Sequence, residues 1–192
     1  MRGFKINRDQ MPTDYPTHLH SSRFWEELGR TVATFGFLED VLGKAIFALT
    51  ATRRYEQAQL DAAYQNWLPQ LERALTDQLW NLAESFGRSV KDNEECKLEN
   101  ADDLVDAIKK ASEYRNVLCH GSWRPPDSKA ASIPFFVNRK KEIFDLPLNA
   151  DQLSQIRQHV RSLIFEVVDS VTLMGWQFPG GGPGKSIMEA GG

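Results

Sequence analysis

The apolar residues of this chain recur mainly at helical spacing. From Leu28 to Leu49 they step by four and three, a pattern typical of a helix face that packs along another helix. Ser21 and Ser22 are candidate N-caps, and the first helix should run to about Ala51. Its predicted inner stripe contains one charged residue and consists of Leu28, Val32, Phe35, Glu39, Leu42, Ile46 and Leu49.

Three more helical regions are predicted downstream. The second covers about 57–88, with a new start or a kink at Pro69 because proline lacks a backbone donor. The third begins at the cap Asn100 and stops near Gly121, and the last begins at Asn149, with Gln152 completing a capping box. The predicted apolar faces are Leu68, Leu71, Leu75, Leu79, Leu82 and Phe86 in the second helix, Leu104, Ile108, Ala111 and Leu118 in the third, and Leu153, Ile156, Val160, Leu163, Val167, Val168 and Val171 in the last.

Between the third and the last helix the pattern changes. Two short apolar runs, 133–137 and 142–146, flank the polar residues 138–141 and predict a small β-hairpin. The predicted fold is therefore all-α, an up-and-down bundle of four to five helices with a hairpin inserted before the last helix. An irregular arm (1–20) precedes the bundle domain (21–176), and a flexible Gly-rich tail (177–192) follows it.

Composition narrows the function classes. The 192 residues suit one domain, and 23 Lys plus Arg against 26 Asp plus Glu argue against a broad, histone-like coat for nucleic acid. Two cysteines make neither a disulfide framework nor a four-thiolate zinc site. His18 and His20 lie in the irregular arm and make no convincing metal site, so no metal and no cofactor are expected. No apolar run approaches the roughly 20 residues of a membrane span, and Met1–Gln10 lacks the apolar run of a secretion signal, so a cytoplasmic protein without a membrane partner is expected.

The segment 113–123, EYRNVLCHGSW, holds the candidate chemistry. On an unbroken helix, five residues leave Arg115 and His120 about 140° apart. The two converge if the helix ends near His120, or if two copies pair through this helix. A titrating imidazole beside a permanent cation suits RNA cleavage, since the imidazole moves the proton of a ribose 2′-hydroxyl or of the leaving 5′-oxygen while the guanidinium holds the phosphate. Asn116 would orient either partner or the phosphate.

The residues Arg115-Asn116-Val117-Leu118-Cys119-His120 resemble the Arg-polar-x-x-x-His motif of the HEPN superfamily. The resemblance covers about residues 22–175, and only these six residues are specific. It implies a helical bundle that acts as a metal-independent endoribonuclease in defence or toxin–antitoxin systems, with a composite cleft at a homodimer interface, a 2′,3′-cyclic phosphate product, and an antitoxin or other regulatory protein as partner. It makes Arg115 and His120 catalytic, Asn116 their polar support and Glu39 the acidic residue of the first helix. Ser122 stands where one branch of the family has a modified tyrosine, so that regulation is not implied.

Charge is distributed unevenly around the third helix. From Tyr114 to Lys141 there are six basic residues against Asp127 alone, downstream of an acidic stretch. These residues are either the solvated tip of a hairpin or a rail for the RNA backbone. The candidate RNA-binding residues are Arg124, Lys129, Arg139, Lys140 and Lys141.

The alternative to an enzyme is a non-catalytic helical module that dimerises or binds a partner or a nucleotide. In that reading Arg115 and His120 satisfy helix-end carbonyls or a carboxylate. Glu39 is then the partner of an arginine, a role that overlaps with the catalytic one if the arginine is Arg115. Cys119 is expected to be a small buried filler. The tryptophans are expected to be packing residues, with base stacking as the other role for Trp123.

Overall fold

The computed structural model describes residues 4–55 and 78–187. Within these ranges the chain forms four α-helices, preceded by a short 3-10 turn at Arg8–Gln10. The all-α prediction is confirmed, and none of the described helices is long and apolar enough to cross a membrane. The helices are α1 (Ser22–Ala51), α2 (Leu79–Asp92), α3 (Ala101–His120) and α4 (Ala150–Thr172). The predicted residues Pro69, Trp67, Leu68, Leu71 and Leu75 lie outside the described part of the chain.

Helix α1 begins and ends where the sequence predicts. The hydroxyl of Ser21 accepts a hydrogen bond from the backbone N–H of Phe24 and caps the helix. The buried face is wider than the predicted stripe, because α1 packs against α2 and α4 on two sides. Buried residues that the stripe omits are Phe24, Thr31, Leu38, Val41, Ala45 and Ala48.

Helices α1 and α4 lie side by side through their N-terminal halves. The Thr31 hydroxyl donates a hydrogen bond to the backbone oxygen of Leu153 at 3.1 Å, and Arg157 forms an ion pair with Glu27 at 3.1 Å. The predicted capping box at the start of α4 is present, since Asn149 and Gln152 exchange side-chain-to-backbone hydrogen bonds. These contacts fix the first turns of α4 against α1.

Helix α3 runs antiparallel to α4. Cys96, just before α3, approaches the backbone oxygen of Ser170 near the end of α4. Further along α3, Ala111 lines a shallow concavity together with Ile156, in the first half of α4. The C-terminal end of α3 therefore lies toward the start of α4.

The prediction of a β-hairpin before α4 is wrong, because no regular strands form there. Between residues 121 and 149, all of them described, the chain makes only isolated antiparallel bridges: Ser122 with Phe135, Ser132 with Leu148, and Val137 with Ile143. Pro134 has no N–H to donate, so pairing with Leu148 ends at Ser132 and Phe135 pairs with a different segment. We call residues 121–149 the connecting segment.

The turn predicted inside the connecting segment is present. The side-chain oxygen of Asn138 accepts hydrogen bonds from the backbone N–H groups of Lys140 and Glu142, each at 2.9 Å. Lys141 closes the turn with a φ of 65°. Basic residues therefore sit on a defined turn that lacks a regular strand on either side.

The chain after α4 folds back on itself as far as residue 187. The backbone N–H of Gln177 donates to the oxygen of Lys185 at 2.8 Å, and the N–H of Lys185 donates to the oxygen of Gly175 at 2.8 Å. Phe178 is buried in the core. The predicted Gly-rich tail thus starts with a loop that is closed by backbone hydrogen bonds.

Candidate active site

The candidate motif occupies the last turn and a half of α3. The helix continues unbroken through His120, and Gly121 follows as its C-cap, which confirms the predicted stop signal. A Cβ at Gly121 would lie 2.5 Å from the backbone oxygen of Val117 and 2.8 Å from the Cβ of Pro134. Glycine is therefore needed where the chain leaves the helix and passes under Pro134.

Arg115 is held by a residue of another helix. Its Nε lies 3.4 Å from Oε1 of Glu39 in α1, and the two side chains are 31% and 25% exposed. The Glu39 Oε1 atom is buried and accepts no hydrogen bond, so the contact is an ion pair without hydrogen-bond geometry. Glu39 therefore pairs with an arginine, and because that arginine is Arg115 the structural and the catalytic roles expected for Glu39 overlap.

His120 and Asn116 are exposed at the end of the same helix. They are four positions apart, so they share one face of α3. Neither side chain forms a hydrogen bond or ion pair with any residue of the described ranges, whereas an imidazole satisfied by helix-end carbonyls would form one. Both are free to meet a ligand or a second copy.

Helix α3 ends at His120, as one of the two sequence-based routes to convergence of Arg115 and His120 requires. Because α3 is regular to its last residue, the two side chains leave the helix about 140° apart. Convergence therefore needs either the reach of the long Arg115 side chain around the helix end or the pairing of two copies. Cys119, predicted to be buried, is exposed beside the motif.

The five candidate RNA-binding residues all lie on the connecting segment, and all are exposed. None of them forms an ion pair with a described residue. Arg124 places its guanidinium carbon 5.3 Å from the centroid of the Phe135 ring. Lys129 lies in a turn, and Arg139, Lys140 and Lys141 lie in the turn made by Asn138.

The turn that carries Lys129 is built on Asp127. The carboxylate accepts hydrogen bonds from the backbone N–H groups of Ala131 at 2.9 Å and Lys129 at 2.8 Å. These bonds, that from Ala131 first, hold the pKa of the Asp127 carboxyl below its usual value, and the positive charge of Lys129 acts in the same direction. The only acidic residue of this basic stretch is therefore used to shape the turn.

The N-terminal arm is attached to the residues that follow the motif. Nε2 of His20 lies 2.9 Å from the backbone oxygen of Arg124, and the His20 ring stacks on Phe24 with 4.1 Å between centroids. Trp123 packs edge-on against Phe24, and Trp25 packs against both His20 and Phe24. The packing role expected for Trp25 and Trp123 is confirmed.

Two other observations concern ligands and relatives. No group of three His, Cys, Asp or Glu residues within 4–55 and 78–187 is placed to hold a metal ion. No protein-family model, no curated protein and no solved structure matches this chain.

Proposed function

We propose that this chain is a metal-independent endoribonuclease of the HEPN type, acting in defence or in a toxin–antitoxin system. The observation that carries the proposal is the pairing of Arg115 with Glu39 across two helices, with the exposed His120 five residues further on. A guanidinium held 3.4 Å from a carboxylate is restrained before substrate arrives, which is what a phosphate-binding cation requires. An exposed imidazole without a partner in the described ranges is free to exchange a proton.

In the proposed reaction the ribose 2′-hydroxyl attacks the adjacent phosphorus. The His120 imidazole takes the hydroxyl proton and then gives a proton to the 5′-oxygen as the bond between that oxygen and the phosphorus breaks. The Arg115 guanidinium donates hydrogen bonds to the phosphate oxygens, on which negative charge develops. The products are a 2′,3′-cyclic phosphate and a 5′-hydroxyl, and Asn116 orients the imidazole or the phosphate.

The proposal places the cleft between two copies of the chain. Arg115 and His120 point about 140° apart on one regular helix, so a single α3 presents them to different sides. A two-fold pairing of this helix brings the His120 of one copy toward the Arg115 of the other. The basic residues of the connecting segment then bind the RNA backbone on either side of the cleft.

The test is RNA cleavage in EDTA by the wild type, Arg115→Ala and His120→Ala. His159→Ala is the matched control, because His159 is also an exposed histidine on a helix. We expect losses of about 100-fold or more for the two motif variants, the range found when an acid–base group or an oxyanion-stabilising donor is removed. His159→Ala should cleave like the wild type. Equal cleavage by all four proteins, or none by any, would contradict the proposal.

Mixing the two inactive variants tests the composite cleft. In a mixed dimer of Arg115→Ala and His120→Ala, the cleft contains an intact arginine from one chain and an intact histidine from the other. Activity should reappear in the mixture and be absent from each variant alone. If the mixture stays inactive while the wild type cleaves, the cleft lies within one chain.

The non-catalytic module is the second candidate, and one observation favours it. The connecting segment exposes five large apolar side chains, and exposed apolar side chains are typical of protein-binding surfaces when they form one patch. They are Ile133, Phe135, Val137, Ile143 and Leu146, each at least 40% exposed. This candidate predicts that His120→Ala does not lower the RNA cleavage that the assay above measures.

A further inference from the structure

The residues just after His120 are pinned against the middle of the connecting segment. Pro134 packs over Gly121 so closely that a Cβ there would lie 2.8 Å from the proline Cβ. The next residues, Ser122 and Phe135, exchange two backbone hydrogen bonds of 3.0 and 2.8 Å. Backbone contacts therefore hold Phe135 opposite Ser122, which follows His120 by two residues. These contacts do not depend on the Phe135 side chain.

The Phe135 side chain is not used by the fold. Its ring is 49% exposed and is absent from the hydrophobic core. Its one cationic neighbour is Arg124, whose guanidinium lies over the ring at 5.3 Å from the centroid. A guanidinium cation thus lies over the face of an exposed aromatic ring, close in the chain to the end of α3.

We propose that the Phe135–Arg124 pair is a stacking platform for a nucleobase of single-stranded RNA beside the cleaved phosphate. This inference rests on the proposed ribonuclease function and adds to it a substrate class. Bases of single strands stack on aromatic rings and on arginine planes, whereas the bases of an A-form duplex are covered by their neighbours. The platform therefore selects unpaired RNA, and purines, with their larger faces, above pyrimidines.

Other aromatic residues near the motif do not offer this surface. Trp123 is half-buried and packs edge-on against Phe24, so its ring is already used by the core. The outward neighbours Ile133 and Val137 are aliphatic and have no π face. Among the described residues, the Phe135 ring alone combines exposure, a guanidinium partner and backbone attachment to the residues after His120.

The chain provides a matched control pair elsewhere. Arg161 lies over the ring of Phe165 at 4.9 Å, and that ring is 51% exposed. Because α3 and α4 run antiparallel and meet near Tyr114 and Val160, Phe165 lies roughly 15 Å along the bundle from His120. Phe165→Leu therefore removes an equivalent ring that is remote from the proposed cleft.

Binding is measured first, in a His120→Ala background that leaves the RNA intact. The probe is a single-stranded adenine 12-mer with one 2-aminopurine, compared with a uracil 12-mer and with a duplex of the same length. Phe135→Leu should weaken binding of the adenine strand at least about five-fold and abolish the quenching of 2-aminopurine by stacking, as loss of a base–aromatic stack does. Phe135→Trp should retain both, and Phe165→Leu should change neither. Phe135→Leu keeps the apolar bulk, and circular dichroism checks its fold.

Cleavage kinetics separate this inference from the proposed function. In the wild-type background, Phe135→Leu should raise KM for single-stranded RNA with kcat nearly unchanged, since a stacked base is bound equally in ground and transition states. Wild-type cleavage with identical behaviour of Phe135→Leu and Phe165→Leu would overturn the platform and leave the ribonuclease standing. Absence of cleavage in the wild type overturns the ribonuclease, and the platform then stands or falls on whether the adenine strand binds through Phe135. If the protein that keeps Phe135 binds no single strand, the platform is overturned.

Discussion

Removing the Arg115 guanidinium should cost more folding stability than removing the Glu39 carboxylate. Arg115→Ala leaves the Oε1 atom of Glu39 buried, without a hydrogen bond and without its counter-charge. An orphaned buried polar group costs about 1–3 kcal/mol, and more when it is charged. Glu39→Ala leaves an arginine that is 31% exposed and long enough to reach water, so we expect a smaller loss of about 1 kcal/mol.

The coupling between the two residues follows from their separation. Two unit charges 3.4 Å apart attract by about 5 kcal/mol at an effective dielectric constant of 20 and by about 1 kcal/mol in bulk water. Desolvation of both groups offsets part of this attraction, because each is about 70% buried. We therefore expect a coupling energy of about 1–2 kcal/mol from a double-mutant cycle.

The assay is urea unfolding followed by circular dichroism, on the wild type, the two single variants and the double variant. Glu26 and Arg30 provide the control cycle, since they form an exposed pair on α1 and should couple by only about 0.3–0.5 kcal/mol. A further variant, Arg115→Ala with Glu39→Leu, should be more stable than Arg115→Ala alone, because the buried charge is gone. A coupling energy near zero, or no rescue by leucine, would refute the reasoning.

Two other predictions concern Gly121 and Asp127 of the connecting segment. Gly121→Ala should lower the free energy of unfolding in urea by about 1–3 kcal/mol, because the new Cβ would lie 2.5 Å from the backbone oxygen of Val117. The control is Gly29→Ala, whose new Cβ meets nothing within 4 Å inside α1. It should raise the free energy of unfolding by about 0.5–1 kcal/mol. If Gly121→Ala leaves the free energy of unfolding unchanged, the backbone can adjust where the chain leaves α3 and the steric argument is wrong. The carboxyl of Asp127 has its pKa lowered from 3.8 in the fold, so its contribution to stability is fully present above that value and is lost as the pH falls below it, through the folded-state pKa. The stability difference between the wild type and Asp127→Ala should therefore be constant near neutral pH and become smaller in strong acid, and a difference that does not change with pH would contradict the role given to the Ala131 N–H.

The helices of this chain could be predicted because their signals are local. Asn149 and Gln152 are three positions apart, and the capping box that they form needs no information from the rest of the chain. The same is true of Gly121, whose position at the end of α3 follows from the residues on either side. The face of α1 was predicted too narrowly, since the spacing of apolar residues along one helix does not tell how many neighbours it has. Leu38 and Val41 are buried by such neighbours.

The connecting segment and the candidate site depend on contacts between distant residues. Two apolar runs around a polar turn predict a hairpin, but Phe135 pairs with Ser122, next to the helix end, rather than continuing one ladder. The partner of Glu39 was one of several arginines until the fold placed Arg115 beside it. Cys119 is likewise exposed because its side of the last turn of α3 is not covered by another described segment, which the local sequence does not reveal. The catalytic roles of Arg115, Asn116 and His120 stay predictions, because geometry alone does not measure a rate.

The ion pair between α1 and α3 also sets the order in which the site can come into being during synthesis. Glu39 leaves the ribosome early in translation, and Arg115 follows only after α2 and most of α3 have been made. The two meet when the bundle closes, so a chain that is cut short before Arg115 carries the carboxylate without its guanidinium. Such a fragment contains α1 with Glu39 and none of the motif. In a protein proposed to cut RNA, this separation ties the appearance of the site to completion of the bundle.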